Sequence, residues 1–387
     1  MLIPLTNTPR NYSWGSTTFI PQLQGRRSSG QPEAEIWFGD HPADPADTPG
    51  SKSLKEVLTA EAADLTPLPY LLKLLAAGSP LSIQAHPSRA QAQFGFAREE
   101  AAGIPRDAPE RTYRDTNHKP ELIVAVSDHF RALVGVRDLA VTRRLLDCLG
   151  PATIPLRRHL YETPDSVRSA IGWTLNPGSA TEVRAIIAEA TKASSSEFFE
   201  ELELARALNA TYPGDAGIVV ALLMNLVTLQ RGEGLFVPAG VLHAYLDGLG
   251  VEVMASSDNV LRGGLTPKHI DVAELLKVLE VATTRPWLVH PRQVAGNTVQ
   301  YDVPIDDFAL RRVTTKGSTT VTIVGPSILL AIQGTVLVTG TSSQQSAGMT
   351  PGAALFVSPD ERSVMITGEG DVFIAGPGRI VDPIRSR

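Results

Sequence analysis

The sequence predicts a mainly β protein, two small β-barrels with a helical insertion, and three observations predict it. After residue 285 the chain turns almost wholly to short β-branched segments, at 309–314, 319–324, 327–332, 335–339, 353–357, 363–367 and 371–375, separated by Gly, Pro or Ser turns. Short strands so closely spaced mark a sandwich or small barrel. A second β-prone set, including 35–39, 81–86, 121–126 and 234–253, is cut in two by residues 139–208, where strand alternation stops. In that interval segments such as 181–191 and 196–208 carry the i, i+3, i+4 apolar spacing of helices. The expected organisation is one barrel from 1–136 and 214–285, a helical insertion at 137–213 and a second barrel at 286–387.

Taken in order, the first 50 residues are rich in Pro, Gly, Asp and Ser, which reads as loops around short strands. Residues 35–39 (EIWFG) form the first strand, 53–64 a helix, and 70–75 a further apolar segment. Residues 81–86 (LSIQAH) read as a strand stopped by Pro87, with a helix capped by Ser88 running through Arg98. Residues 121–126 (ELIVAV) are strongly β-prone. After the insertion, strands are expected at 218–229 and through 234–253. Thr266-Pro267 has the cap-plus-proline signature of a helix start, so a helix is expected at 267–279. No clear internal repeat is visible, although a Pro-x-Gly turn between β-runs at 236–243 has a looser counterpart at Thr350-Pro351-Gly352.

A chain of 387 residues supports two or three compact domains. The net charge of -6 leaves no basic footprint for nucleic acid and argues against an anionic membrane surface. An anionic substrate needs only local positive charge. The single cysteine, Cys148, excludes an intramolecular disulfide or a thiolate metal cluster and is expected as a small buried apolar side chain. The opening residues carry no signal-peptide pattern, and the apolar stretch 216–229 is too short to span a bilayer. The cytosol is the expected compartment and a monomer the default.

Three segments hold the residue types of a metal site. Gln84 and His86, two apart on a strand, project to one face. Glu121 opens an otherwise apolar strand, where a carboxylate costs free energy unless it is paired or bound to a metal. His243 follows the Pro238-Ala239-Gly240 turn on a returning strand. Each signal alone is as well explained by a satisfied core histidine or a solvated strand end. Together Gln84, His86, Glu121 and His243 supply two imidazoles and two oxygen donors, a set that suits zinc or another first-row divalent ion. The other histidines, His41, His129, His159, His269 and His290, lack matching spacing. The run from Glu252 to Lys268 is dense in acid, amide, hydroxyl and base, with Gly263-Gly264 allowing close backbone approach. Lys268, at the wrong end of its expected helix for the macrodipole, makes sense beside an anion such as a sugar phosphate.

Five ordered segments resemble type I phosphomannose isomerases: residues 11–16 (NYSWGS), 32–39 (PEAEIWFG), 81–87 (LSIQAHP), 117–121 (NHKPE) and the stretch 232–268. The resemblance implies cupin-type jelly-roll barrels and one zinc ion per chain held by Gln84, His86, Glu121 and His243. It implies interconversion of mannose 6-phosphate and fructose 6-phosphate through an enediolate. By the same resemblance Ser82 and Lys268 contact the substrate phosphate, Arg262 lies at the reacting carbons, and Lys119, Glu252 and Asp258 match other active-site positions. Glu252 or Asp258 is the preferred proton shuttle, with His118 and Lys119 as further candidates; the sequence leaves these open. Phe38 and Asp40 stand where the family more often has Met and Thr, which is expected to alter the pocket rim. The implied partner is a hexose 6-phosphate, with no nucleic acid and no membrane, and the implied setting is GDP-mannose biosynthesis.

Two other classes use such a fold. A metal-dependent cupin oxygenase favours two closely spaced histidines with a carboxylate, and Gln84 two residues before His86 disfavours it. A non-catalytic sugar-phosphate-binding cupin has little reason to keep Arg262, Lys119 and all four candidate ligands together.

Overall fold

A computed structural model describes residues 1–161, 165–281 and 286–378. The expected boundaries at 285 and 387 fall in or beside residues 282–285 and 379–387, which lie outside the described residues. Among those described, strands form a ten-stranded sheet that carries the candidate site residues and an eight-stranded sheet in the C-terminal part.

The first sheet is organised by one long strand, His243–Ala255. It pairs antiparallel with Tyr70–Ala77, Glu121–Ala125 and His129–Val136, and meets Ile83–Ala85 at the single register pair Gln84 and His243. Its partners are nearly all apolar because both faces are covered: every residue of Tyr70–Ala77 and of Glu121–Ala125 is buried. The helix Arg89–Ala101 follows the Gln84 strand and is opened by a capping box, Ser88 Oγ accepting from the Gln91 amide while Gln91 returns to the Ser88 amide.

Helices Leu139–Cys148, Ser166–Leu175, Ala180–Lys192 and Phe199–Thr211 pack together on one side of this sheet. Three expectations need correction here. Residues 218–222, expected in a strand, belong to the helix Gly217–Leu222, all of it buried; a fully buried apolar run has no period to separate helix from strand. The strand begins only at Met224 and runs to Gln230. The helix expected at 267–279 spans Val272–Val278 instead, and Asp271, not Thr266, caps it by accepting from the Glu274 amide. Lys268 therefore sits in a loop, and the macrodipole argument for it does not apply. Cys148 is exposed, because Thr142, Leu145 and Leu146 take the buried face of its helix.

In the C-terminal sheet the expected short segments merge into long strands, Ala309–Thr322, Ser327–Gly340 and Ser363–Gly376, which twist through several neighbours. Leu2–Leu5, expected with the first barrel, pairs with Ala354–Val357 in this sheet. The two halves also share a hydrophobic core in which Leu72, Leu122 and Phe236 join Tyr301, Leu330 and Phe373.

Candidate active site

Strand register brings the site together. Across three neighbouring strands Arg262, Gln84 and His243 are direct cross-strand partners, so their side chains stand in a row on one face. A second row runs Trp37, Lys73 and Glu252. Both rows face a cavity of about 910 Å³, because the His243–Ala255 strand changes phase between Tyr245 and Glu252, an odd number of residues apart. The change falls at Leu246, the extra residue between the register pairs Arg131–Asp247 and Ala132–Tyr245.

His86, Glu121 and His243 converge with one donor atom each, all within 4.8 Å of one another, and all three are buried. His86 Nε2 lies 3.1 Å from one Glu121 oxygen and His243 Nε2 3.3 Å from the other. The Nδ1 atoms are both directed at backbone carbonyls, of Asn259 at 2.7 Å and Val241 at 3.1 Å. A carbonyl only accepts, so each Nδ1 carries the proton and each Nε2 presents a lone pair. Two lone pairs then face a carboxylate that also only accepts, and neither Nε2 has a hydrogen-bond partner. A cation between them satisfies all three groups, and backbone carbonyls that fix ligating imidazoles are the usual outer layer of a metal centre. Gln84, beside His243 on the cavity wall, offers a fourth oxygen donor.

The charges around this core are arranged by sign. Lys119 Nζ is 2.9 Å from Glu121, and Tyr245 donates to the other Glu121 oxygen at 3.1 Å. Burial opposes ionisation of Glu121, yet Lys119 holds it well below the usual carboxylate range. Burial, reinforced by Lys119, pushes the His86 imidazole down to about 4, so it is neutral and ready to ligate. Glu252 is raised, chiefly by burial, although Lys73 stands 3.1 Å away and opposes the rise. Further along the cavity Arg262, Lys268 and Arg114 line the wall with no carboxylate partner among the described residues. Burial and mutual repulsion lower Arg262 and Lys268, the signature of cations gathered for an anion.

Of the sequence-derived candidates, Gln84, Glu121, Arg262, Glu252, Asp258, Lys119, Ser82 and Lys268 line the cavity, and His86 and His243 lie directly beneath it. His118 does not. On an extended segment its side chain points opposite to Lys119, and its Nε2 is 2.8 Å from Asp307 of the C-terminal half, which Arg89 also binds. Phe38 and Asp40 are not on the rim either: Phe38 is in the core, and Asp40 accepts from the Leu68 amide. Residue-type reasoning missed Arg114, Lys73, Glu35, Trp37 and Asp215, all on the cavity wall. Lys73 and Glu35 carried a usable signal, since each is a lone charge in an apolar strand. His41 is buried against Trp37 with Nε2 3.6 Å from Asp258.

The fold and the site define a β-barrel enzyme with a His-Glu-His metal centre beside an anion-binding cavity. The comparisons identify the family. Residues 2–139 match the family described as phosphomannose isomerase type I, catalytic domain. The mannose-6-phosphate isomerase of Escherichia coli (strain K12) is 36% identical over 385 residues, covering 95% of this chain and 97% of that protein. The human mannose-6-phosphate isomerase is 29% identical over 429 residues, covering 96% and 97%. The crystal structure of the Salmonella typhimurium enzyme bound to its substrate and a zinc atom superposes with a TM-score of 0.90 at 32% identity, over 98% of this chain and all of that one. The chain belongs to the type I phosphomannose isomerases.

Proposed function

We propose that this protein interconverts mannose 6-phosphate and fructose 6-phosphate as a zinc-dependent aldose–ketose isomerase. The observation that carries the reading is the pair of buried imidazole lone pairs facing Glu121 next to a cavity lined by Arg262, Arg114 and Lys268, cations without a carboxylate partner among the described residues. Gln84, His86, Glu121 and His243 would hold the ion, which when bound would supply Lewis-acid polarisation or orientation of the sugar oxygens. Lys268, Arg114 and Ser82 receive the phosphate. Arg262, a permanent cation one strand from Gln84, stabilises the enediolate oxygen as the proton leaves the carbon next to the carbonyl.

A cavity carboxylate carries the proton between the two carbons. Glu252 suits the task because burial raises it toward the range in which a carboxyl both takes and returns a proton. Asp258, also on the cavity wall and near His41, is the alternative, and Lys119, held at Glu121, is better placed to steady the metal ligand than to shuttle protons. His118, engaged with Asp307, is assigned no part in the transfer. Among the described residues no helix is long and apolar enough to cross a membrane. The reading adds a monomeric cytosolic enzyme that feeds GDP-mannose biosynthesis.

The test is isomerisation measured before and after chelation and zinc return. Loss with the chelator and recovery with zinc is the expected result. Activity indifferent to chelation would break the assignment of the four ligands, and no activity in any metal state would overturn the isomerase reading. Glu252→Gln and Asp258→Asn then separate the two carboxylates: the base is the one whose loss stops exchange of the substrate's carbon-bound proton with solvent while hexose phosphate still binds.

A further inference from the structure

The last turn of the helical insertion reaches into the cavity wall, and its side chains bind the two loops on either side of the proposed phosphate seat. Asp215 Oδ1 accepts from the Gly217 amide at 2.7 Å and from the Leu265 amide at 2.9 Å, and its Oδ2 from the Thr266 amide at 3.3 Å. Leu265 needs such a hold. It is a non-glycine residue at φ 55°, a region that costs an L side chain free energy and persists only where the surroundings over-determine it. Its side chain is buried, and the preceding Gly264 lies so close to Gly217 that a Cβ on either would fall within 2.6 Å of the other segment's backbone. Two residues on from the pinned Thr266 is Lys268, whose amide is bonded to the Thr266 hydroxyl. On the other side, Tyr212 donates its hydroxyl to the Pro80 carbonyl at 2.8 Å, two residues before Ser82.

We infer that residues 212–215 are a clamp that sets the spacing of the Ser82 and Lys268 loops, with Asp215 as a positioning residue for recognition of the substrate's phosphate. The inference rests on the proposed phosphate seat. Asp215 does not meet the sugar: its carboxylate is spent on three backbone amides, and removing it frees the Leu265 turn to relax to an ordinary conformation, which withdraws Lys268. A residue that fixes the shape of an anion seat acts on ground state and transition state alike, so its loss raises KM and leaves kcat nearly unchanged. A merely structural residue would lower stability without that split.

The experiment compares the zinc-loaded full chain with Asp215→Asn and Tyr212→Phe, reading kcat, KM for mannose 6-phosphate, and the inhibition constant and thermal stabilisation given by inorganic phosphate. Asp215→Asn is expected to raise KM and the phosphate inhibition constant together by about tenfold, with kcat within about threefold, and Tyr212→Phe to raise both by about threefold. Should the Asp215 variant not fold, Tyr212→Phe carries the same prediction. Unchanged KM and phosphate inhibition in the folded variants, or a fall in kcat with KM held, would overturn the clamp. If the wild-type chain proves inactive with zinc, the isomerase reading fails separately, and the phosphate stabilisation lost or kept in Asp215→Asn still decides the clamp.

Discussion

Arg262 shows how a single side chain can be assigned by what it lacks. It lies half-buried on the cavity wall, in register with Gln84, with Arg114 near it and no carboxylate partner among the described residues. A cation kept unpaired in a partly desolvated site is held ready for charge that appears only during reaction. Arg262→Ala is therefore expected to lower kcat by about 100- to 1000-fold while KM changes little, read from steady-state kinetics. Equal losses in both would remove it from the reacting carbons. His86 gives a second prediction, for the metal-free chain. Its pKa falls from 6.5 to about 4 on folding, by burial and Lys119. Between those values the unfolded chain holds the proton and the folded chain does not, so stability rises with pH across that window and is lost as pH falls. Glu121, held low, loses its contribution in the same direction at more acid pH. Urea unfolding of the metal-free protein is expected to lose about 3 kcal/mol between pH 7 and pH 4, a slope that His86→Gln should largely remove. An identical slope in both proteins would mean that other groups set it.

Local signals placed some elements and not others. The helix Arg89–Ala101 begins at Ser88 because the hydroxyl satisfies an amide that the helix leaves unpaired, and Gln91 completes the capping box. Ser88→Ala is expected to cost about 1 kcal/mol in chemical denaturation with kcat unchanged. A cost near zero would show that Gln91 alone closes the end. Two other segments departed from expectation, one for want of a local signal and one against it. Gly217–Leu222 is apolar on every side, so nothing in its pattern distinguished a buried helix from a buried strand. Thr266-Pro267 has a strong local start signal that tertiary structure overrides: the Thr266 amide is bound by Asp215, and the helix waits for Asp271. The short β-runs after residue 309 merged because the glycines between them continue the strands at positive φ: Gly317 stays in register opposite Gly368, and Gly334 pairs with Gly370 just after a one-residue shift between Ala331 and Gln333.

At the scale of the molecule the two sheets behave as one body. Tyr70, in the strand beside Glu252, directs its hydroxyl at the carbonyls of Pro326 and Ala375 in the C-terminal half, at 3.0 and 3.2 Å. Around it a single apolar cluster takes residues from both sheets, including the N-terminal strand. His118 adds a polar tie through Asp307 and Arg89. The expected outcome is one calorimetric transition for the whole chain, with calorimetric and van't Hoff enthalpies in agreement. Tyr70→Phe should lower stability by about 1–2 kcal/mol without splitting that transition. Two resolved transitions in the wild-type chain would show that the halves unfold separately.

The proposed metal donors were legible in the sequence because they stand out against their surroundings: Glu121 is a lone charge before an apolar run, Gln84 and His86 share a strand face, and His243 follows a proline–glycine turn. The mainly β class and the helical interval were legible for the same reason, since period and turn residues are local properties. Convergence was not. That Arg262, Gln84 and His243 form one row depends on which strands are neighbours and in what register, and sequence spacing does not encode either. That Lys119 faces the cavity while adjacent His118 faces Asp307 depends on how one extended segment is turned between two sheets. The role of Asp215 depends on a loop fifty residues away that only folding brings to it. Local chemistry is written in the chain because each residue carries its own preference; proximity between distant segments is decided when the shared core is packed, and only the tertiary structure reports it.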